Sequence, residues 1–169
     1  IAFRLAGIHA FKEAAKKALD DGYTKYTPVN GLLELRQAIV NKLARENDLH
    51  YTVNQIVVSN GAKQSVYNLC MALLDPGDEV ILPAPYWVSY AEIVKMAGGV
   101  PVIANSSIEQ DFKSTPEEIE ALITDRTKFI LYSSPCNPSG SVFSFEELQA
   151  LALMLQAHEH VLVVSDEIY

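Results

Sequence analysis

Residues 128–140 read Lys128-Phe129-Ile130-Leu131-Tyr132-Ser133-Ser134-Pro135-Cys136-Asn137-Pro138-Ser139-Gly140, an apolar run followed by a polar, proline-rich loop. The apolar run predicts a buried strand, and Ser144-Phe145-Glu146-Glu147 further on predicts the start of a helix. Two prolines, a glycine and several small polar residues between them give a loop whose shape is fixed by its own chemistry. Such a loop can hold the amide of Asn137 in one place, where it can contact a ligand.

Strands and helices alternate on both sides of this loop. Short apolar runs predict strands at residues 56–58, 80–82, 100–104, 129–132 and 161–164. Helical spacing or capping residues predict helices at residues 9–19, 32–47, 62–73 and 87–97, and from Thr115 and Ser144 onward. Because the strands are nearly continuous Val, Ile and Leu, both faces of the sheet must be covered. The predicted fold class is therefore α/β, a three-layer sandwich with a mainly parallel sheet.

Composition narrows the possible functions. The chain has 169 residues, of which 49% are hydrophobic and 20% charged, as in a globular domain. Its net charge of -8 argues against a broad nucleic-acid or anionic-membrane surface, and no apolar run is long enough to span a bilayer. Two distant cysteines favour neither a disulfide framework nor a zinc site. We expect a soluble, cytoplasmic protein that contacts no nucleic acid and no membrane.

Four chemically unusual segments follow four predicted strands: Asn60-Gly61-Ala62-Lys63, Pro83-Ala84-Pro85-Tyr86-Trp87, the loop of Asn137, and Asp166-Glu167-Ile168-Tyr169. In open parallel sheets, ligands bind just beyond the carboxyl ends of the strands. The sequence therefore predicts one site at that edge of the sheet.

Gly61, Ala62 and Lys63 lie where a strand passes into a helix, and backbone amides at such a helix start suit a phosphate. A strand-to-helix turn that binds nothing is an equally good interpretation of this segment alone. The segment is not a nucleotide P-loop, because no glycine occupies the upstream position and Ala62 separates Gly61 from Lys63.

Trp87 is the only tryptophan of the sequence, and its ring could stack on a heteroaromatic cofactor. Core packing is the more frequent role of such a ring. Asp166 follows a very apolar strand, where an ionised carboxylate needs a partner such as a protonated ring nitrogen. A helix cap or an ordinary ion pair is the alternative for this aspartate.

Asn137 and Tyr169 are neutral hydrogen-bonding groups that could together bind a phenolate-like oxygen. His158-Glu159-His160 contains residue types that bind metals, but no third ligand lies near it in the sequence, so we interpret it as a solvated helix end. No metal site is therefore predicted.

Five segments in order resemble the fold-type I pyridoxal-phosphate aminotransferases, most closely the aspartate aminotransferase branch. The order and spacing of the five segments agree with those of the family. The segments are Tyr26-Thr27-Pro28-Val29-Asn30-Gly31-Leu32 with Leu35-Arg36, Ser59-Asn60-Gly61-Ala62-Lys63-Gln64, Pro83-Ala84-Pro85-Tyr86-Trp87-Val88-Ser89-Tyr90, Asn137-Pro138-Ser139-Gly140 and Asp166-Glu167-Ile168-Tyr169. The agreement runs from about Ala14 to Tyr169. It implies the large-domain fold of these enzymes and pyridoxal 5'-phosphate as cofactor.

The resemblance also implies roles for individual residues. Gly61, Ala62 and Lys63 would bind the cofactor phosphate, largely through backbone amides, and Trp87 would stack on the pyridine ring. Asn137 and Tyr169 would hydrogen-bond the ring oxygen, and Asp166 would pair with the pyridinium nitrogen. Tyr26 would reach the phosphate of a neighbouring subunit, because active sites in the family form between the two chains of a homodimer.

By the same resemblance, residues 1–169 correspond to an incomplete large, cofactor-binding domain without the small C-terminal domain. The Schiff-base lysine of the family lies beyond the equivalent of Tyr169, and Lys63 does not replace it. The expected reaction moves an amino group between an amino acid, aspartate or a related one, and a 2-oxo acid, with this stretch alone inactive. The alternatives are an aminotransferase-like effector-binding domain of a transcription regulator and another fold-type I lyase or synthase.

Overall fold

The computed structural model describes the backbone of residues 5–168 and the side chains of residues 9–168. The chain divides into two compact units, Ile1–Ser59 and Asn60–Tyr169. Within the described residues, no helix combines the length and the apolar character that a membrane crossing requires.

The first unit contains two helices, α1 (Leu5–Asp20) and α2 (Leu33–Asn47), and a 3₁₀ turn at Val53–Gln55. Helix α1 ends at Asp20, within one residue of the predicted end, and Gly22 just beyond it has a φ of 80°, in the left-handed region that favours glycine. Arg36 of α2 is buried, and its guanidinium donates hydrogen bonds to the carbonyls of Gly31 at 3.2 Å and Val53 at 2.9 Å. This one side chain therefore ties the loops on either side of α2 together.

The predicted strand at residues 56–58 is wrong. These residues are irregular in the structure, and the Val58 amide donates to the carbonyl of Asn30, at 3.2 Å, which belongs to a loop. Val57 is 65% exposed. An apolar triplet becomes a strand only beside another strand, and the described part of the first unit contains none.

The second unit alternates helices and strands as predicted. Its elements are α3 (Ala62–Leu73), β1 (Glu79–Pro83), α4 (Ser89–Met96), β2 (Val100–Ala104), α5 (Pro116–Glu120), β3 (Thr127–Ser133), α6 (Phe145–Leu155) and β4 (Leu162–Asp166), with a 3₁₀ turn at Ile108–Gln110. Helix α4 begins two residues after the predicted Trp87, because the preceding segment is still a turn.

The four described strands form one sheet in the order β2-β1-β3-β4, and every neighbouring pair is parallel. Ile81 of β1 lies opposite Val102 on one side and Ile130 on the other, which fixes the register across the middle of the sheet. All four carboxyl ends therefore lie at the same edge.

Alternate residues of the central strands face opposite layers of helices. Val80, Leu82, Phe129 and Leu131 pack with α3 and α4 in one cluster of buried side chains. Ile81 and Ile130 pack on the other face with Ile119 of α5 and Leu151 of α6. Period-two alternation inside an apolar run places side chains in both layers, so the predicted three-layer α/β sandwich is confirmed.

Two capping boxes begin α5 and α6 at the predicted residues. The Thr115 hydroxyl accepts from the amide of Glu118, and the Ser144 hydroxyl accepts from that of Glu147. The Lys113 ammonium 2.7 Å away, and then the Ser144 amide, lower the pKa of Glu147 from its ordinary value. On α3, burial raises the pKa of the Cys70 thiol to about 11, so it packs as a small neutral side chain.

Strand β4 lies at the edge of the described sheet and pairs with β3. Its apolar residues Leu162 and Val163 are about half exposed, at 51% and 49%. Strand β4 is therefore far less enclosed than β1 and β3.

Helix α6 offers a matched test of this packing. Leu151 is 6% exposed within the second cluster, whereas Leu153 on the same helix is 59% exposed. We expect Leu151→Ala to lower the free energy of unfolding by about 2–4 kcal/mol, through lost burial and a residual cavity. Leu153→Ala carries the same change in helix propensity but should cost less than about 1 kcal/mol. Equal shifts of the urea unfolding midpoint would contradict the assigned face of α6.

Candidate functional site

The edge formed by the carboxyl ends of the strands contains a reversal of strand order. From β1 the chain passes to the outer strand β2, and from β3 it passes to the outer strand β4 on the other side. Such a reversal opens a crevice between the two central strands, and ligands of open α/β sheets bind there. The segments that follow β1, β3 and β4 all reach this edge.

A cavity of about 360 Å³ lies at this edge. Its lining joins the start of α3, the segment after β1 and the end of β4, and consists of Gly61, Ala62, Lys63, Trp87, Tyr90, Asp166 and Ile168. Five of the predicted site residues are thus brought together by three separate segments. A neighbouring cavity of about 400 Å³ shares Ala62, Asp166 and Ile168 with it.

The start of α3 supplies polar backbone rather than polar side chains. Gly61 is the N-cap residue, and no side chain caps this helix end. Its backbone lies at φ 88° and ψ 161°, a combination that is essentially limited to glycine, and a Cβ built there would meet nothing within 4 Å. The first amides of a helix have no intrahelical acceptor and carry the positive end of the helix dipole, so this end of the cavity suits an anion.

Trp87 stands between a cation and a second aromatic ring. The Lys63 ammonium lies over the indole, 4.8 Å from the ring centroid. Tyr90 approaches the indole edge-on, with 5.6 Å between centroids and an interplanar angle of 86°. A cation over the face and a ring against the edge both suit the charge distribution of an indole.

Asp166 ends β4, where it is partly buried, and both of its carboxylate oxygens accept hydrogen bonds. The Tyr90 hydroxyl donates to Oδ2 at 2.6 Å, and the Ile168 amide donates to Oδ1 at 3.3 Å. The carboxylate is therefore held in one orientation beside Trp87 and the start of α3. The carboxylate places a negative charge in the cavity lining, whereas the start of α3 places the positive end of a helix dipole there.

Asn137 lies in the loop after β3, outside the lining of this cavity. The loop is closed by hydrogen bonds from the Gly140 amide to the Cys136 carbonyl at 2.7 Å and from the Cys136 amide to the Ser141 carbonyl at 2.8 Å. The Cys136 thiol donates to the Pro85 carbonyl at 3.1 Å, which joins this loop to the segment after β1. The expected fixed shape of the loop is therefore present, with Asn137 partly buried in it.

Two further predicted residues lie either outside the second unit or outside the described residues. Tyr26 belongs to the first unit, where its side chain is fully exposed. Tyr169 lies outside the described residues.

The pair His158 and His160 engages neighbouring residues. The His158 ring lies 3.1 Å from a Glu120 carboxylate oxygen, and the His160 ring lies 3.1 Å from the Thr124 carbonyl. Among residues 9–168, no three or more His, Cys, Asp or Glu side chains are grouped to hold a metal ion.

Tyr90 contributes a side-chain hydrogen bond to the site, although the sequence analysis assigns it no role. A signal was present: in the helix predicted from Trp87, Tyr90 follows by three residues, a spacing that places two helical side chains on the same side. Its hydroxyl partner, 76 positions further along the chain, could not be read from local pattern.

A cavity of similar size, about 440 Å³, lies between the segment around Lys113 and helix α6. Its lining includes Lys113, whose ammonium is already paired with Glu147 and Asp111. No predicted site residue lines it, so size alone does not identify the functional cavity.

Comparison with known proteins identifies the family to which the chain is similar. The family model "Aminotransferase class I and II" matches residues 4–169. A probable aspartate/prephenate aminotransferase of Rickettsia conorii is 52% identical over 158 residues, which are 94% of this chain and 39% of that protein. The aspartate/prephenate aminotransferase of Nitrosomonas europaea is 51% identical, again over 94% of this chain and 40% of its own length.

Solved structures give the same result. The aspartate aminotransferase of Rhizobium meliloti superposes with a TM-score of 0.92 at 45% identity, covering 95% of this chain and 40% of that one. The aspartate aminotransferase of Thermus thermophilus with maleate gives a TM-score of 0.89 at 49% identity, covering 94% and 41%. The chain thus spans about two fifths of the length of these relatives.

These similarities confirm the resemblance to the aspartate aminotransferase branch and the large-domain fold that it implied. Because the family model covers residues 4–169 and the relatives match almost the whole sequence, the chain belongs to the aminotransferase class I and II family.

Proposed function

We propose that this chain is part of a pyridoxal-phosphate-dependent aminotransferase that moves an amino group between an amino acid and a 2-oxo acid. The observation that carries the proposal is the single cavity in which a helix start, the Trp87 ring and the Asp166 carboxylate meet. Membership of the aminotransferase class I and II family supports the same reaction class.

The chemistry of the cavity fits pyridoxal phosphate. An anionic phosphate needs donors, and the uncapped start of α3 offers backbone amides beside Gly61. A flat pyridine ring needs an apolar surface, and Trp87 offers its indole. A protonated ring nitrogen needs a carboxylate, and Asp166 is partly buried in the same lining.

When bound, pyridoxal phosphate supplies an electron sink that lets an amino acid lose its α-proton. The part of Asp166 is to keep a proton on the pyridine nitrogen, because a carboxylate beside that nitrogen favours its charged form. Gly61, Ala62 and Lys63 would hold the phosphate through their backbone amides, and Trp87 would stack on the ring. The Lys63 ammonium, which lies over Trp87, would add positive charge on the side of the cavity where the start of α3 offers its amides.

The remaining residue roles rest on the resemblance. Asn137 and Tyr169 are proposed to hydrogen-bond the ring oxygen, and Tyr26 is proposed to reach the phosphate bound by a neighbouring subunit of a homodimer. The exposed side chain of Tyr26 is free to make such a contact. The lysine that the family uses for covalent attachment and proton transfer is expected beyond Tyr169, so residues 1–169 alone are proposed to be inactive. A cytoplasmic location is proposed for the whole protein.

The names of the relatives suggest which substrates to assay first. The relatives from Rickettsia conorii and Nitrosomonas europaea, 52% and 51% identical to this chain, are called probable aspartate/prephenate aminotransferase and aspartate/prephenate aminotransferase. We therefore propose aspartate or a related amino acid as the donor, and prephenate among the 2-oxo acid acceptors.

The proposal is tested on the full-length protein. We expect it to bind pyridoxal phosphate with visible absorbance that borohydride reduction abolishes, and to convert aspartate to its 2-oxo acid when an acceptor is present. Product analysis by mass spectrometry separates amino transfer from a lyase or synthase reaction. A full-length protein that neither binds the cofactor nor transfers an amino group would overturn the proposal.

Removing the carboxylate should slow turnover by orders of magnitude. We expect Asp166→Ala in the full-length protein to lower kcat at least about 100-fold at saturating cofactor, because the ring nitrogen loses its charged partner. Asp166→Asn keeps the shape of the side chain and should show a similar loss. Asp125→Ala serves as control, because Asp125 is exposed in the turn that precedes β3. Unchanged turnover in both Asp166 variants would exclude this residue from the reaction.

The glycine at the start of α3 can be tested with a matched partner. Gly61 and Gly77 both have positive φ, 88° and 90°, and at both a Cβ would meet open space, but Gly77 lies in the turn before β1. We expect Gly61→Ala and Gly77→Ala each to cost about 1–2 kcal/mol of stability through backbone strain. Gly61→Ala should also raise the Kd for pyridoxal phosphate about tenfold, measured by titrating the apoprotein. An equal Kd in the two variants would argue against phosphate binding at Gly61.

A further inference from the structure

Tyr90 holds a central position between the two side chains expected to contact the cofactor ring. Its side chain is 1% exposed and packs in the cluster formed by α3, α4 and one face of the sheet. Its hydroxyl nevertheless reaches the cavity lining, where it donates to Asp166. A tyrosine packed this tightly loses little further side-chain freedom by making that bond.

The hydroxyl fixes the carboxylate without consuming it. The bond from the Tyr90 hydroxyl to Asp166 Oδ2 is 2.6 Å long, within the range typical of a hydroxyl donating to an ionised carboxylate. The Ile168 amide occupies one site on Oδ1. A carboxylate has about four lone-pair sites on its two oxygens, so the carboxylate can still accept a proton donor from the cavity.

The aromatic ring of Tyr90 fixes a second group. It meets Trp87 edge-on at 5.6 Å, and the Tyr90 amide donates to the Trp87 carbonyl at 2.9 Å. Rotation of the indole away from the cavity would break the ring contact. One buried residue therefore sets both the plane of Trp87 and the direction of the Asp166 carboxylate.

We propose that Tyr90 is a positioning residue for the cofactor: it fixes the Asp166 carboxylate that would pair with the ring nitrogen and the Trp87 indole that would stack on the ring. The inference rests on the proposed function and adds a residue to that site. Tyr90 transfers no proton in this role, because its hydroxyl keeps its proton and donates it in the hydrogen bond to Asp166. A carboxylate held in advance needs no reorganisation when the ring binds, which is the usual advantage of preorganised charge.

A purely structural role is the competing explanation, because any buried hydrogen bond contributes to stability. The two differ in what Tyr90→Phe does. This variant keeps the ring contact with Trp87 and removes the hydroxyl alone. A structural role predicts lower stability with unchanged cofactor binding, whereas a positioning role predicts a change in how the bound ring is held.

The test uses the full-length protein reconstituted with pyridoxal phosphate. We expect Tyr90→Phe to raise the Kd for the cofactor about tenfold and to lower the visible circular dichroism of the bound cofactor at equal occupancy. The dichroism reports the orientation of the ring in its site and is not altered by lower stability alone. Tyr132→Phe is the matched control, because this tyrosine of β3 packs edge-on against Phe143 instead and should leave both readouts unchanged.

A double-mutant cycle shows whether the hydroxyl acts through Asp166. In the Asp166→Ala background, Tyr90→Phe should change the Kd less than twofold, because the hydroxyl then has no carboxylate to align. An equal tenfold effect in both backgrounds would overturn the proposal, as would an unchanged Kd and dichroism in the single variant. Failure of the underlying function looks different, since the wild-type protein would then bind no cofactor at all.

Discussion

Burial of β1 and β3 on both faces is the constraint on which the second unit depends. Ile81 and Ile130 enter one apolar layer while their neighbours Val80, Leu82 and Phe129 enter the other. Neither layer can form without helices, and parallel strands in turn require connections long enough to contain them. The same requirement explains why the connections carry α4, α5 and α6, and why the strands point the same way.

Parallel direction has a chemical consequence. Because all carboxyl ends meet at one edge, the polar residues that follow the strands are collected there at no cost to the core. The reversal of strand order between β1 and β3 leaves room among them. Trp87 follows β1 and Asp166 ends β4 in this way, and the uncapped start of α3, which follows no described strand, completes the lining of one cavity.

Local sequence patterns were enough to predict many of the secondary-structure elements. The apolar run of β2 and the capping residues of α5 and α6 carry their signal within a few positions, and the structure has these elements where expected. Residues 56–58 were wrongly predicted as a strand because a strand is defined by its neighbour, which the triplet itself does not specify. Tyr90 was missed for a related reason, since the meaning of its hydroxyl depends on Asp166. Asn137 was correctly expected in a loop of fixed shape, but the local sequence did not indicate that it would lie outside the lining of the cavity.

The half-exposed edge strand β4 also has a bearing on how the protein behaves at high concentration. Leu162 and Val163 lie on a strand whose outer backbone groups no other strand of the described sheet pairs with. Exposed apolar edges of this kind template strand addition from other molecules. In preparations of residues 1–169, self-association through β4 therefore competes with solubility, and it will grow with protein concentration. The strand that presents Asp166 to the cavity is thus also one of the two open edges, with β2, of the described sheet.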